Sequence, residues 1–254
     1  MRGNRGFKVL RGILLLVLAI CAVQIGRAYI ESAGHKRERE KLRGGLREEK
    51  ATEDFQQEET VPPRQVRGKF ADLYEINRDL IGWIFIEGTN IDYPVMQCGD
   101  DEYYLSHDFY GREDRYGCLY VKKVADVNTP GTNFIIYGHN MKDGSMFGTL
   151  DRYGEEDFCT SHPLISFDTL YDERTYEVMA VFRTQIKEED KEFKYYRFYQ
   201  ADTEEEFSCF YENVKEMALY DTGVTAEYGD TFLTLSTCDY YADDGRFVVV
   251  AKLL

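Results

Sequence analysis

The sequence predicts a mainly β domain with accessory helices, a barrel or sandwich, carried behind an apolar N-terminal helix. Three observations predict it. Seven or eight strand-like runs follow one another after residue 66, helix-like stretches between them are few, and one isolated apolar run stands near the start. At 254 residues the chain is long enough for one ordinary domain and an appendage.

Arg2, Arg5, Lys8 and Arg11 precede the apolar run Gly12–Gly26, which reaches membrane-spanning length once Val9, Leu10 and the residues through Ile30 are included. The run ends in Gln24, Gly26, Arg27 and Tyr29 without an A-x-A-like cleavage site, so it reads as an uncleaved anchor over residues 9–30. Basic residues ahead of the span place a cytoplasmic tip at 1–8 and the rest of the chain outside the cell. Residues 31–65 mix charges at helical spacing with almost no apolar face, the pattern of a charged extracellular spacer.

The packed domain, residues 66–254, opens with Phe70, Leu73, Tyr74 and Asn77 at helical spacing. I-G-W-I-F-I-E and I-D-Y-P-V-M, separated by G-T-N, read as a hairpin. Further strands are expected at Gly117–Lys123, Asn133–Tyr137, Leu164–Leu170 and Thr175–Ile186, the last two flanking Y-D-E-R as a second hairpin. Phe207, Phe210, Tyr211, Val214 and Met217 mark one face of a helix within Asp202–Leu219. T-F-L-T-L-S-T and R-F-V-V-V-A-K-L-L read as central strands because they are apolar almost throughout.

Charge excludes one class of partner. The first 67 residues carry 14 Lys+Arg against 9 Asp+Glu, and the remainder 17 against 37, so the packed domain is strongly acidic and would repel nucleic acid. Metalloprotease, zinc-finger, P-loop, dinucleotide-binding and serine-elbow motifs are absent, and D-Y-Y-A-D-D-G lacks calcium-loop spacing, so neither a cofactor nor a metal is expected. Chemistry then falls to the cysteines and histidines.

Five thiols lie beyond the apolar run. Cys118 and Cys209 read as small buried hydrophobes, and Cys98 and Cys159 fall in loop-like surroundings where pairing stays open. Cys238 differs because it terminates an apolar strand. A nucleophilic thiol needs a nearby cation or imidazole, and Arg246 starts the following strand, so antiparallel pairing would return the guanidinium to the sulfur. Among the histidines, His107 and His162 adjoin turn formers and read as capping or surface residues, whereas His139 ends a hydrophobic strand through Gly138.

Y-G-H-N-M at 137–141, T-L-S-T-C at 234–238 and G-R-F-V-V-V-A-K at 245–252 together resemble the sortases, cysteine transpeptidases of the Gram-positive surface. Similarity to class B is carried by W-I-x-I-x-G-T-x-I-D-Y-P-V, Y-Y-L-S-H-D-F-Y and G-S-M-F-G-T-L. The resemblance implies an eight-stranded sortase-type barrel with Cys238, His139 and Arg246 as nucleophile, general acid–base and oxyanion donor. It also implies that Leu105, Tyr137 and Ser236 line the peptide groove. Asp101 departs from the asparagine common in relatives, and Asp239 adds a carboxylate that would disfavour a thiolate beside it. The partners implied are exported proteins with a C-terminal sorting signal and a peptidoglycan precursor or other amine acceptor. A membrane-tethered endopeptidase that releases product to water, and a non-catalytic β-rich surface module, stand as alternatives.

Overall fold

A computed structural model describes residues 3–46, 65–186, 193–239 and 244–254. The chain divides into two units, Met1–Lys41 and Leu42–Leu254. Helix α1, Gly3–Gly44, supplies the first, and among the described residues it is the one helix long and apolar enough to cross a membrane. The first part of the expected spacer is thus helical, and residues 47–64 lie outside the described residues.

In the second unit a 3-10 turn (Gly68–Phe70) and helix α2 (Ala71–Ile76) lead into eight strands. These are β1 (Leu80–Phe85), β2 (Asp92–Met96), β3 (Leu119–Tyr120), β4 (Asn133–Tyr137), β5 (Leu164–Thr169), β6 (Thr175–Gln185), β7 (Phe232–Asp239) and β8 (Gly245–Leu253). They close into a barrel in the order β1-β2-β3-β4-β7-β8-β6-β5. The β2–β3 and β4–β7 pairs are parallel and all others antiparallel. Both expected hairpins, β1–β2 and β5–β6, are present.

Strand alternation sorts the side chains into an interior and an outer surface. Leu233 and Leu235 of β7, Phe247, Val249 and Ala251 of β8, and Phe134 and Ile136 of β4 fill the interior. Their neighbours Phe232, Val248 and Val250 face outward and are covered by helix α4, Glu204–Met217, through Phe207, Phe210 and Val214. The central strands read as apolar throughout because both faces are buried. Thr203 caps α4 by accepting from the Glu206 amide, and three glutamates in the first turn complement the helix dipole.

Three expectations need correction. The strand expected at Gly117–Lys123 contracts to Leu119–Tyr120, because Gly117 adopts φ +58 and β3 pairs with β4 at a single position. Cys209 is exposed, since the buried stripe of α4 passes through Phe207, Phe210 and Val214 and leaves it on the solvent side. Cys159 belongs to a short helix, α3 (Glu156–Ser161), and is buried; it and the other cysteines are free thiols. His162 caps the end of α3 and stacks on Phe158, and His107 stacks on Tyr103, as their turn surroundings suggested.

Gly117 holds the long 103–117 segment against the barrel. A Cβ there would lie 2.2 Å from the Tyr104 carbonyl oxygen, and that same oxygen accepts the Cys118 amide at 2.8 Å. Gly117→Ala is expected to destabilise the domain by about 2 kcal/mol or more, from left-handed strain plus the backbone overlap. Urea unfolding followed by the fluorescence of Trp83, the single and buried tryptophan, measures it.

Candidate active site

Because β4 and β7 run parallel and β8 returns antiparallel, the end of β4, the end of β7 and the start of β8 share one rim. Cys238 pairs directly with Arg246 across β7 and β8, so both side chains leave the same face, typically with Cβ atoms about 5 Å apart. Tyr137 pairs with Ser236, and two residues further along each chain come His139 and Cys238. Three further bonds fasten the two segments: Gly138 amide to Ser236 carbonyl (3.2 Å), Thr237 hydroxyl to Gly138 carbonyl (2.7 Å), and Asn140 side-chain amide to Cys238 carbonyl (3.0 Å). The structure therefore brings Cys238, His139 and Arg246 to one end of adjacent strands.

Each group is held in a distinct way. Cys238 is exposed, while Thr237 before it is 2% exposed, so the strand delivers its sulfur to the surface from a fixed base. The half-buried His139 ring points Nε2 at the Leu105 carbonyl, 2.7 Å away. A carbonyl only accepts, so Nε2 carries the proton in the neutral ring and Nδ1 is the nitrogen left for proton exchange. Arg246 donates one Nη1 hydrogen to the Gly245 carbonyl at 2.8 Å, which orients a fork with five N–H donors in total.

The surroundings are phenolic. Ser236 is buried and shares a 2.7 Å hydrogen bond with the Tyr195 hydroxyl, so its side chain meets the rim through that ring. Burial pushes the Tyr195 hydroxyl up to about 12, opposed by Ser236 and Arg246. Burial likewise raises Tyr120 to about 12, with Asp101 adding to the rise and Arg246 opposing it. Burial also raises Tyr137, whose hydroxyl lies toward Tyr199 without forming a well-aligned hydrogen bond. These phenols therefore remain neutral hydrogen-bonding groups over the range in which a thiol reacts. Asp101 is tied to the Lys123 amide at 2.7 Å, and its charge reaches both Tyr120 and Tyr199. Sequence reasoning missed Tyr120, Tyr195, Tyr199 and Asn140. Only Asn140 had a usable signal, its place directly after His139.

A thiol, an imidazole with one nitrogen available and a guanidinium at the rim of a closed mixed barrel define a class of cysteine acyl-transfer site. The Sortase domain family matches residues 84–254, and the chain belongs to the sortase family. It is 36% identical to sortase B of Listeria monocytogenes over 197 residues, covering 75% of this chain and 76% of the relative. A crystal structure of sortase B from Bacillus anthracis superposes with a TM-score of 0.73 at 33% identity, over 89% of this chain and 99% of that one. The Staphylococcus aureus sortase B–substrate complex gives 0.68 at 30% identity, over 75% and 86%. The protein is thus a class B sortase, a cysteine transpeptidase with an eight-stranded barrel.

Asn140 is the clearest structural addition to the sequence reading, since it links the histidine segment to the backbone of Cys238. Asn140→Ala is expected to lower turnover about tenfold through misplacement of the two segments. Its cost in stability should be only about 1 kcal/mol, because the lost bond is solvent-exposed. Steady-state kinetics beside urea denaturation separate the two effects.

Proposed function

We propose that the protein cleaves a C-terminal sorting signal after threonine and transfers the resulting acyl group to a cell-wall amine. The Cys238 thiol passes its proton to His139 Nδ1 as its sulfur attacks the threonine carbonyl carbon, and Arg246 donates hydrogen bonds to the oxygen as it becomes negative. His139 gives the Nδ1 proton to the departing amine, leaving a thioester on Cys238. An incoming amine then attacks the thioester and loses its proton to His139, which passes it to the departing Cys238 sulfur and so regenerates the thiol.

The observation that carries this reading is the direct cross-strand pairing of Cys238 with Arg246 beside a histidine segment bonded to the Cys238 carbonyl. That the S. aureus relative forms a sortase B–substrate complex supports substrate binding by this fold. In this reading the groove includes Leu105, whose carbonyl holds His139, together with Tyr137 and, through Tyr195, Ser236. Residues 9–30 anchor the protein in the membrane, with residues 1–8 cytoplasmic, 31–65 an extracellular spacer and 66–254 the catalytic domain outside the cell. The apolar helix and its basic leading residues support that arrangement.

The test incubates the protein with fluorogenic peptides built on N-P-x-T-x and related signals, with and without an added amine, and identifies products by mass spectrometry. A thioester on Cys238 and an amide product that grows with amine concentration are expected. A purely hydrolytic product insensitive to amine would replace transfer with endopeptidase action. Absence of both cleavage and peptide-trapped Cys238 across the signals would leave a non-catalytic module.

A further inference from the structure

Strand alternation sends Asp239, next to Cys238, to the opposite face of β7, where its side chain is only 10% exposed. There it meets Arg183 of β6, with Nε and Oδ2 2.9 Å apart. The register explains how strands that are not neighbours make this contact. Asp239 pairs with Gly245, which pairs with Gln185, and two residues further in Thr237 pairs with Phe247, which pairs with Arg183. Gly245 has no side chain, so carboxylate and guanidinium close diagonally over β8. The guanidinium lies over the Phe247 ring, 5.0 Å from its centroid, and against Gly154, where a Cβ would stand 3.4 Å from Nη2.

We propose that Arg183 is a positioning residue for the reaction at Cys238, its ion pair balancing the shielded carboxylate of Asp239 so that the neighbouring thiol can ionise. The proposal rests on the reading of Cys238 as nucleophile. Forming a thiolate places a second negative charge one residue from Asp239, and a carboxylate with little water around it opposes that charge unless a cation is fixed beside it. On the sulfur's own side stand Arg246, its cross-strand partner, and the Tyr120 and Tyr195 phenols, with the His139 segment bonded to the Cys238 carbonyl through Asn140. Arg183 acts from behind the strand.

A charge cycle tests it, using Arg183→Met, Asp239→Asn, the double variant and Arg183→Lys in the full chain. The readouts are kcat/KM and the rate at which iodoacetamide alkylates Cys238 at neutral pH, located by peptide mass spectrometry. Arg183→Met is expected to slow alkylation about fivefold. Asp239→Asn alone should not slow it, the double variant should return to the parental rate, and Arg183→Lys should keep most of it. A merely mechanical strap predicts the opposite pattern, with Asp239→Asn as slow as Arg183→Met and no recovery in the double variant, and that result overturns the proposal. So does an unchanged rate in Arg183→Met. If Arg183→Met fails to fold by circular dichroism, Arg183→Lys and the double variant still decide. Alkylation reports on the thiol whether or not it is the nucleophile, so failure of this cycle is distinct from failure of the functional reading, which Cys238→Ala judges.

Discussion

Cys238→Ala is expected to reduce peptide cleavage and amide formation by at least about 10⁴-fold, because a thioester needs a thiol and Cys238 is the one cysteine between Cys209 and the C-terminus. The loss should come with an intact fold. Cys238 is exposed at a strand end, and substitution of such a side chain changes stability by about 0.5 kcal/mol or less. The remaining thiols offer no substitute: Cys118 and Cys159 are buried, and burial pushes the Cys159 and Cys98 thiols up, away from ionisation. The exposed Cys209 sits on α4 with its sulfur toward Asn213. Turnover that survives at the parental rate in Cys238→Ala removes the acyl-enzyme mechanism altogether.

Arg246→Lys should lower kcat by about 10²- to 10³-fold while KM moves little, the signature of a contact made chiefly in the transition state. Lysine keeps the charge but loses the planar fork. In the structure that fork is oriented by an Nη1 hydrogen bond to the Gly245 carbonyl, and the β7–β8 register sets it opposite Cys238. An ammonium on a flexible stem offers a mobile point charge in place of donors fixed in direction. Steady-state kinetics with a fluorogenic signal peptide decide the matter. A rise in KM with kcat preserved would move Arg246 from oxyanion stabilisation to ground-state peptide binding.

Elements whose pattern depends on burial were readable in sequence. Asn133–Tyr137 has the limits its apolar run suggested, and β7 and β8 follow their nearly continuous hydrophobicity because interior residues and α4 cover opposite faces. Around β3 the reading failed. Cys118 and Tyr120 bury themselves outside the barrel while Leu119 and Val121 join its interior, and packing of that kind produces the same apolar pattern as a ladder. At the site, Cys238 and His139 were visible as chemical side chains stranded at the ends of apolar runs. The tyrosines were not, since Tyr195 follows a polar stretch in a short 3-10 turn and Tyr199 lies in irregular chain, where no periodicity marks a residue. The Asp239–Arg183 pair was hidden for a related reason: it spans three strands whose order around the barrel differs from their order in sequence.

The side-by-side, same-direction run of β4 and β7 has a consequence for timing. Tyr137 and Ser236 are joined only across the whole intervening stretch, with β5, β6 and α4, because same-direction neighbours cannot be joined by a tight turn. Contacts so distant along the chain form late, after most loop-closure entropy has been spent. A half-folded chain thus carries the sulfur and the imidazole as unconnected groups, and competence to react appears only with the last seam of the cylinder.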